Sequence, residues 1–355
     1  MKILLFYTKN QGYLSQFFSE FSDYLSTQEN EIFIFSFKQN NGYSQNSNIH
    51  FYTKKKRGFI SNYFQVFQIV KKIRPDVIIA NFSYVNPAII SGYLFNTKTK
   101  IAWCDSLIKQ SGANWLNNNI KRIVYRYANY LIANSYLMQQ ELIDIIRVRN
   151  DKIKVIPFYT NIHLKNKATK TKPNDIFKIG CPGRLEEHKN QLIVLKAIKL
   201  LNFNSNAKLR LFLAGTGNKK KQLIQYADEN DLPVDFLDQL NSDKILDFYN
   251  EMDLIVLPSL HEAFGLVAIE AMALGRPVII SKNFGALSFI DQNKFKLDSF
   301  TFDPSNVKEL AEILETYKQG DGHNGEYFQN LYKQTFNKGR IFESISNIIL
   351  SETIE

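Results

Sequence analysis

Residues 254–281 read LIVLPSLHEAFGLVAIEAMALGRPVIIS, and this stretch decides the fold. The run 254–257 is short, wholly apolar and closed by Pro258 and Ser259, which predicts a buried strand. A loop follows over 260–265, carrying His261 and Glu262. Residues 266–274 predict a helix, with Gly275 as its stop and Pro277 just beyond. Residues 278–280 predict a second buried strand. Strand, helix and strand at these lengths form one crossover of a parallel sheet, with ligand space at the carboxyl end of the strands.

Two carboxylates mark this crossover. Glu270 lies among Ala271, Met272, Ala273 and Leu274, where a charged group is costly to bury without a partner. Glu262 stands three residues before Gly265, where backbone can approach a ligand closely. The free N–H groups of the first helical turn point into the same space and suit an anion. A capping Glu262 and a surface Glu270 on an ordinary helix would give the same spacing. A retaining glycosidase pair needs carboxyls ~5 Å apart, whereas eight helical residues would hold these two ~12 Å apart.

The stretch resembles the glycosyltransferase family 4 signature, a Glu, seven residues and a second Glu, with Phe-Gly after the first and Glu-Ala-Met-Ala, Gly and Pro-Val at the end. Glu262, Phe264, Gly265, Glu270, Ala271, Met272, Ala273, Gly275, Pro277 and Val278 all match. Upstream, Gly183, Arg184, Lys189 and Asn190 match the family's Gly-Arg, four residues, Lys-Asn signature. That pattern suits a diphosphate, since Arg offers a two-pronged fork and Lys a point charge beside a helix start.

The resemblance implies an α/β chain of the GT-B fold. Its two facing Rossmann-like domains have parallel sheets, and a C-terminal helix returns to the first domain. Expected boundaries are an acceptor domain over 1–164, a linker over 165–176, a donor domain over 177–335 and the returning helix over 336–355. The implied activity is retaining transfer of a hexosyl-type group from a nucleotide-diphosphate sugar, UDP-linked first and GDP-linked second. The acceptor would be a glycan or lipid-linked glycan in bacterial surface polysaccharide or glycoconjugate synthesis. Glu262 is implied as the catalytic carboxylate facing the donor sugar. Arg184 and Lys189 are implied at the diphosphate, Glu270 at the ribose, and the backbone of Phe264, Gly265, Leu266 and Val267 near sugar and phosphate. Gly12, between the strand expected over 2–7 and its helix, is implied at the donor, although the family places two adjacent glycines where this chain has Gln11-Gly12. Where the family shows His-Asp, this chain has Cys104-Asp105, so no imidazole is assigned and Asp105 is the implied acceptor or donor contact. No Asp-x-Asp occurs, and neither metal nor cofactor is implied. A GT-B nucleotide-sugar epimerase, or a sugar-nucleotide-binding subunit without activity, would carry the same donor signatures.

Composition bounds the remaining choices. The 355 residues suggest two domains, and 45% hydrophobic content provides a core. Cys104 and Cys181 make no disulfide or metal pattern, which fits a reducing cytoplasm. The charge-free run 77–97 is interrupted by Asn81, Asn86 and Pro87, so strand plus helix is expected there rather than a span. Of the net charge of +10, residues 1–165 carry 21 Lys and Arg against 9 Asp and Glu; the rest carry 23 against 25. Lys54, Lys55, Lys56 and Arg57, followed by Phe59, Tyr63, Phe64 and Phe67, predict an anionic membrane surface as a partner. Nucleic acid is not expected, because the second half carries nothing suited to it. The expected location is cytoplasmic, with peripheral attachment to the inner face of the plasma membrane.

Overall fold

The computed structural model describes residues 1–10, 12–38, 40–109, 115–162, 176–202 and 208–351. The linker expected over 165–176 falls almost wholly outside them. The chain divides into two compact units, one of Met1–Pro157 with the C-terminal helix, the other of Phe158–Asn337.

Unit 1 contains β1 (Lys2–Phe6), α1 (Tyr13–Ser26), β2 (Glu31–Lys38), β3 (Gly42–Asn46), β4 (Ile49–Lys55), α2 (Phe59–Ile73) and β5 (Val77–Asn81). It continues through α3 (Val85–Leu94), β6 (Thr99–Cys104), α4 (Trp115–Tyr125), β7 (Tyr130–Ala133), α5 (Tyr136–Asp144) and β8 (Ile153–Val155). Its sheet runs β3-β4-β2-β1-β5-β6-β7-β8, parallel except for the edge strand β3. Strand order therefore reverses between β1 and β5, the crevice where open α/β sheets bind ligands. The β3–β4 pair was not legible in the sequence. Every residue of β3 is exposed, so no apolar alternation betrays it.

Unit 2 contains β9 (Ile176–Pro182), α6 (Gln191–Asn202), β10 (Lys208–Ala214), α7 (Lys220–Glu229), β11 (Val234–Leu237) and α8 (Ser242–Glu251). Then come β12 (Leu254–Leu257), α9 (Leu266–Ala273), β13 (Val278–Ser281), β14 (Thr301–Phe302), α10 (Val307–Gln319) and α11 (Gly325–Thr335). All its strands are parallel, in the order β11-β10-β9-β12-β13-β14, reversing between β9 and β12. The stretch 254–281 thus forms the β12–α9–β13 crossover on the far side of that reversal.

Both sheets close their first strand in the same way. The N–H of Lys2 donates to Asp76 Oδ2 at 2.8 Å, and that of Lys178 donates to Asp253 Oδ2 at 2.8 Å. Each Asp immediately precedes, or nearly precedes, the strand that starts the second half of its sheet. The last helix, α12 (Lys338–Ser351), belongs to unit 1. Its Phe342 packs among Phe17, Phe21 and Tyr24 of α1 at centroid separations of 5.6, 5.2 and 5.4 Å, and Lys338 pairs with Glu20. Phe342, Ile345 and Ile349 are buried, each contributing ~2 kcal/mol of apolar burial.

Candidate functional site

The carboxyl ends of β9 and β12 carry the two predicted signatures. After β9 the backbone turns at Gly183, whose φ of 147° favours glycine. Gly215 approaches from the end of β10, where a Cβ would lie 2.0 Å from the Gly183 carbonyl oxygen. The Gly215-Thr216-Gly217 turn therefore interlocks with 183–185, and Leu185 N–H donates to the Thr216 carbonyl at 2.9 Å.

A short 3-10 turn, Glu187–Lys189, leads to Asn190, which adopts a left-handed φ of 56°. The Asn190 amide donates to the Pro258 carbonyl at 3.2 Å and the Pro304 carbonyl at 2.9 Å. Leu260 N–H donates to the His188 carbonyl at 2.8 Å. These bonds tie the loop after β9 to the loop after β12 across the strand-order reversal. Asn190 was legible as part of a signature, but its work is positional.

The geometry brings Lys189 and Glu262 together in an ion pair, with both side chains about four-fifths buried. Arg184 remains largely exposed, 3.6 Å from Glu186, and its carbonyl accepts from the Gln191 amide at 2.8 Å. Burial first, then the neighbouring Lys189 and Arg184, hold the His188 imidazole below its ordinary range, which favours its neutral form. Glu262 is fixed by its own backbone as well. Its N–H donates to the Asn283 carbonyl at 3.1 Å, and its carbonyl accepts from Gly285 at 3.0 Å.

Gly265 has a φ of 98°, and a Cβ there would lie 2.3 Å from the Phe284 ring. Phe264 turns inward rather than toward open space, packing against Phe158, Phe289 and Phe336. Only its backbone, with that of Gly265, Leu266 and Val267, opens α9, whose N-terminus has no side-chain cap. That leaves donors pointing outward from the first turn.

Glu270 lies one turn further along α9 and has a different partner. The buried Tyr249 hydroxyl donates to its Oε2 at 3.2 Å. Burial, opposed only by this bond, pushes the carboxyl up to about 7. Nothing in the spacing of the sequence flagged Tyr249. The two glutamates are thus separated by environment: one has a cation as counterion, the other a phenol in a nearly apolar setting.

Two predicted residues lie in unit 1. Gly12 precedes α1 in extended backbone, and its N–H donates to Asn10 Oδ1 at 2.8 Å. Asp105 follows β6, accepting from Ser106 Oγ at 3.2 Å, and burial pushes its carboxyl up to about 7. Cys104 is a buried free thiol that burial pushes up to about 12, so it carries no thiolate near neutrality. Among the described residues no cluster of His, Cys, Asp and Glu could hold a metal ion. No described helix is long and apolar enough to cross a membrane.

Two family profiles divide the chain between them. Glycosyltransferase Family 4 matches residues 14–158, and Glycosyl transferases group 1 matches residues 163–335. An uncharacterized glycosyltransferase of Methanocaldococcus jannaschii is 28% identical over 59% of this chain and 55% of its own length. The capsular polysaccharide biosynthesis glycosyltransferase CapM of Staphylococcus aureus is 27% identical over 58% of each chain. This chain therefore spans little more than half the length of these curated relatives. Among solved structures, Anabaena HepE in complex with UDP and glucose superposes with a TM-score of 0.74 at 20% identity, over 99% of this chain and 100% of that one.

Proposed function

The chain belongs to glycosyltransferase family 4 and has the GT-B fold, and on that footing we propose that it is a retaining transferase for a nucleotide-diphosphate sugar. The observation that carries this reading is the Lys189–Glu262 ion pair, with Arg184 in the same loop after β9, where the second sheet reverses its strand order. UDP is the first candidate nucleotide, because similar folds are known with UDP, UDP-glucose and glucose bound; GDP is the alternative. Surface polysaccharide assembly is the proposed setting, supported by likeness to capsular and O-antigen biosynthesis glycosyltransferases.

In this reading Arg184 and Lys189 stabilise the charge that develops on the diphosphate as the glycosidic C–O bond breaks. The leaving phosphate takes the acceptor proton on the same face, so the protein supplies position and field rather than a strong base. Glu262 holds Lys189 in place and accepts from a donor-sugar hydroxyl. Glu270, steadied at Oε2 by Tyr249, offers its other oxygen to the ribose. The side chains supply the cationic charge themselves, so no metal step is needed.

A lipid-linked acceptor at an anionic membrane is the proposed partner, and unit 1 supports it. Helices α2, α3 and α4 contain no acidic residue yet expose Phe59, Ile60, Phe64, Tyr93, Leu94, Trp115 and Ile123. Lys54, Lys55, Lys56 and Arg57 precede α2, and Lys121 and Arg122 lie on α4. The sequence groups Phe59, Tyr63, Phe64 and Phe67 behind the basic run 54–57. Phe67 instead packs against Phe95 at a centroid separation of 4.6 Å, and Tyr63 lies against Phe59 at 4.4 Å, half-buried.

The test is a panel of UDP- and GDP-sugars with the whole chain, scored by calorimetry and by slow sugar release. Binding of one class with release of sugar of unchanged anomeric configuration is expected. Release of an epimerised sugar, or no nucleotide binding at all, would overturn the transferase reading.

A further inference from the structure

The edge of unit 1's sheet that lies away from its order reversal carries a basic groove. It has a volume of about 640 Å³ and is lined by Lys9, Lys38, Asn41, Ser44, Phe51 and Thr53. Lys9 follows β1, Lys38 ends β2, Ser44 lies on β3, and Phe51 and Thr53 belong to β4. None of the residues placed above at the donor or the acceptor lines it.

The frame of the groove is held by bonds of its own. Lys9 N–H donates to Ser36 Oγ at 2.9 Å. Phe37, also on the wall, stacks on Tyr84 at 5.1 Å, and its N–H donates to the Tyr84 hydroxyl at 2.8 Å. Lys55 N–H donates to Asn41 Oδ1 at 2.9 Å, which fastens the start of the β3–β4 hairpin to the end of β4.

The two lysines are the part left unmatched. Both ammonium groups lie over the one Phe51 ring, Lys9 Nζ at 4.5 Å and Lys38 Nζ at 5.5 Å from its centroid. A ring face attracts each cation only weakly where water has access, and the two cations repel each other. Among the described residues no carboxylate pairs with either, and no acidic residue lines the groove.

An anion between the two ammonium groups offsets that repulsion. Ser44, Thr53 and Asn40 add hydroxyl and amide donors on the same wall. A carboxylate has two oxygens to meet such a set, whereas a phosphate has three or four, and lysine serves phosphate as a point charge. A cation would be repelled, and a neutral sugar would leave both ammonium groups unmatched. The volume has room for more than a bare phosphate, so a small hydroxylated group esterified to it is accommodated.

We propose that this groove binds the phosphate of a polyol or sugar phosphate ester, held between Lys9 and Lys38. The inference does not depend on the transferase reading, since no donor residue takes part. The same chemistry reaches the chain either as a soluble ester or as a phospholipid headgroup.

Phosphorus NMR of glycerol 1-phosphate, titrated with the full chain, tests it. The phosphorus line should broaden. Lys9→Gln combined with Lys38→Gln should cut the broadening at least fivefold without lowering the melting temperature. Ser44→Trp, which fills the groove and leaves the charge unchanged, should do the same. Strand alternation puts Tyr52 on the opposite face from Phe51, and Lys72 of α2 lies over that ring at 5.0 Å. Lys71→Gln combined with Lys72→Gln therefore makes the same charge change on the other face and should cut the broadening less than twofold. No broadening in wild type, or equal losses in the two double variants, as a diffuse positive field would give, would overturn the proposal. Cosedimentation with phosphatidylglycerol vesicles names the source. A loss at least fivefold greater in the Lys9 and Lys38 variant than in the Lys71 and Lys72 variant assigns the phosphate to a lipid headgroup. Equal sedimentation of those two assigns it to a soluble ester, and either result upholds the groove.

Discussion

Lys189 and Glu262, 73 residues apart in the chain, meet as an ion pair that joins the loops following β9 and β12. A diphosphate arriving there would meet Lys189 already matched to a carboxylate, so the two residues are coupled energetically. Lys189→Ala should weaken UDP binding by ~1.5–3 kcal/mol, the range for a charge-assisted contact. Glu262→Ala should bind UDP at least as well as wild type yet lose transfer. In the Glu262→Ala background, where Lys189 has lost its competing carboxylate, the Lys189 effect should grow, and a calorimetric double-mutant cycle would show it. Strict additivity would mean the pair does not act at the nucleotide.

Arg184 is mostly exposed, with Glu186 as its counterion among the described residues. Its fork geometry predicts that Arg184→Lys recovers only part of the affinity lost in Arg184→Ala. Titration with UDP and then with uridine should show the loss for UDP alone. Equal losses for both would remove Arg184 from the diphosphate.

Asp105 and Glu270 are each pushed up to about 7 by burial. The folded chain therefore keeps protons that the unfolded chain releases near pH 4. The stability these two groups contribute falls as pH rises from about 4 to about 7, and then levels off. Each group accounts for roughly 3–4 kcal/mol across that window. Glu270→Gln and Asp105→Asn should each flatten the decline in Tm between pH 4.5 and 8 relative to wild type. A parallel decline in all three proteins would show that neither carboxyl is perturbed.

Glu270→Gln should also weaken binding of UDP more than of its 2′-deoxy analogue, because a carboxylate accepts from both ribose hydroxyls at once. A uniform loss across nucleotide and analogue would move Glu270 away from the ribose.

The acid-free face of α2, α3 and α4 predicts salt-sensitive binding to anionic vesicles. Each cation near such a surface contributes ~1 kcal/mol within a Debye length. Replacing Lys54, Lys55, Lys56 and Arg57 with Ser should abolish cosedimentation at low salt, and Trp115→Ser with Ile60→Ser should weaken what survives at high salt. Equal recovery on neutral and anionic vesicles would rule out the membrane partner.

Much of unit 2 was legible because its evidence is local. The crossover at 254–281 combines apolar runs, a glycine stop and a proline within 28 residues, and the Gly183 turn is equally compact. What sequence concealed depends on distance or on surface. The β3 strand is exposed on every residue, so it has no apolar period to detect. Phe264 matches a ligand-side signature, yet four aromatic rings meeting in the interior decide its direction. Tyr249 reaches Glu270 from another helix, and no spacing rule connects them. Gly12 occupies the expected turn, but its N–H is engaged by Asn10, two residues earlier.

The seating of Phe342 among Phe17, Phe21 and Tyr24 has a consequence for biosynthesis. The α1 face that receives it is synthesised about 300 residues ahead of its cover. At ordinary elongation rates, synthesis of all of unit 2 leaves those rings waiting roughly ten seconds or more. The nascent first unit is therefore the stage at which this chain is most exposed to chaperones and to premature association. C-terminal truncation ahead of Lys338 should trap it there, giving an aggregation-prone first unit even though every strand of its sheet is already present.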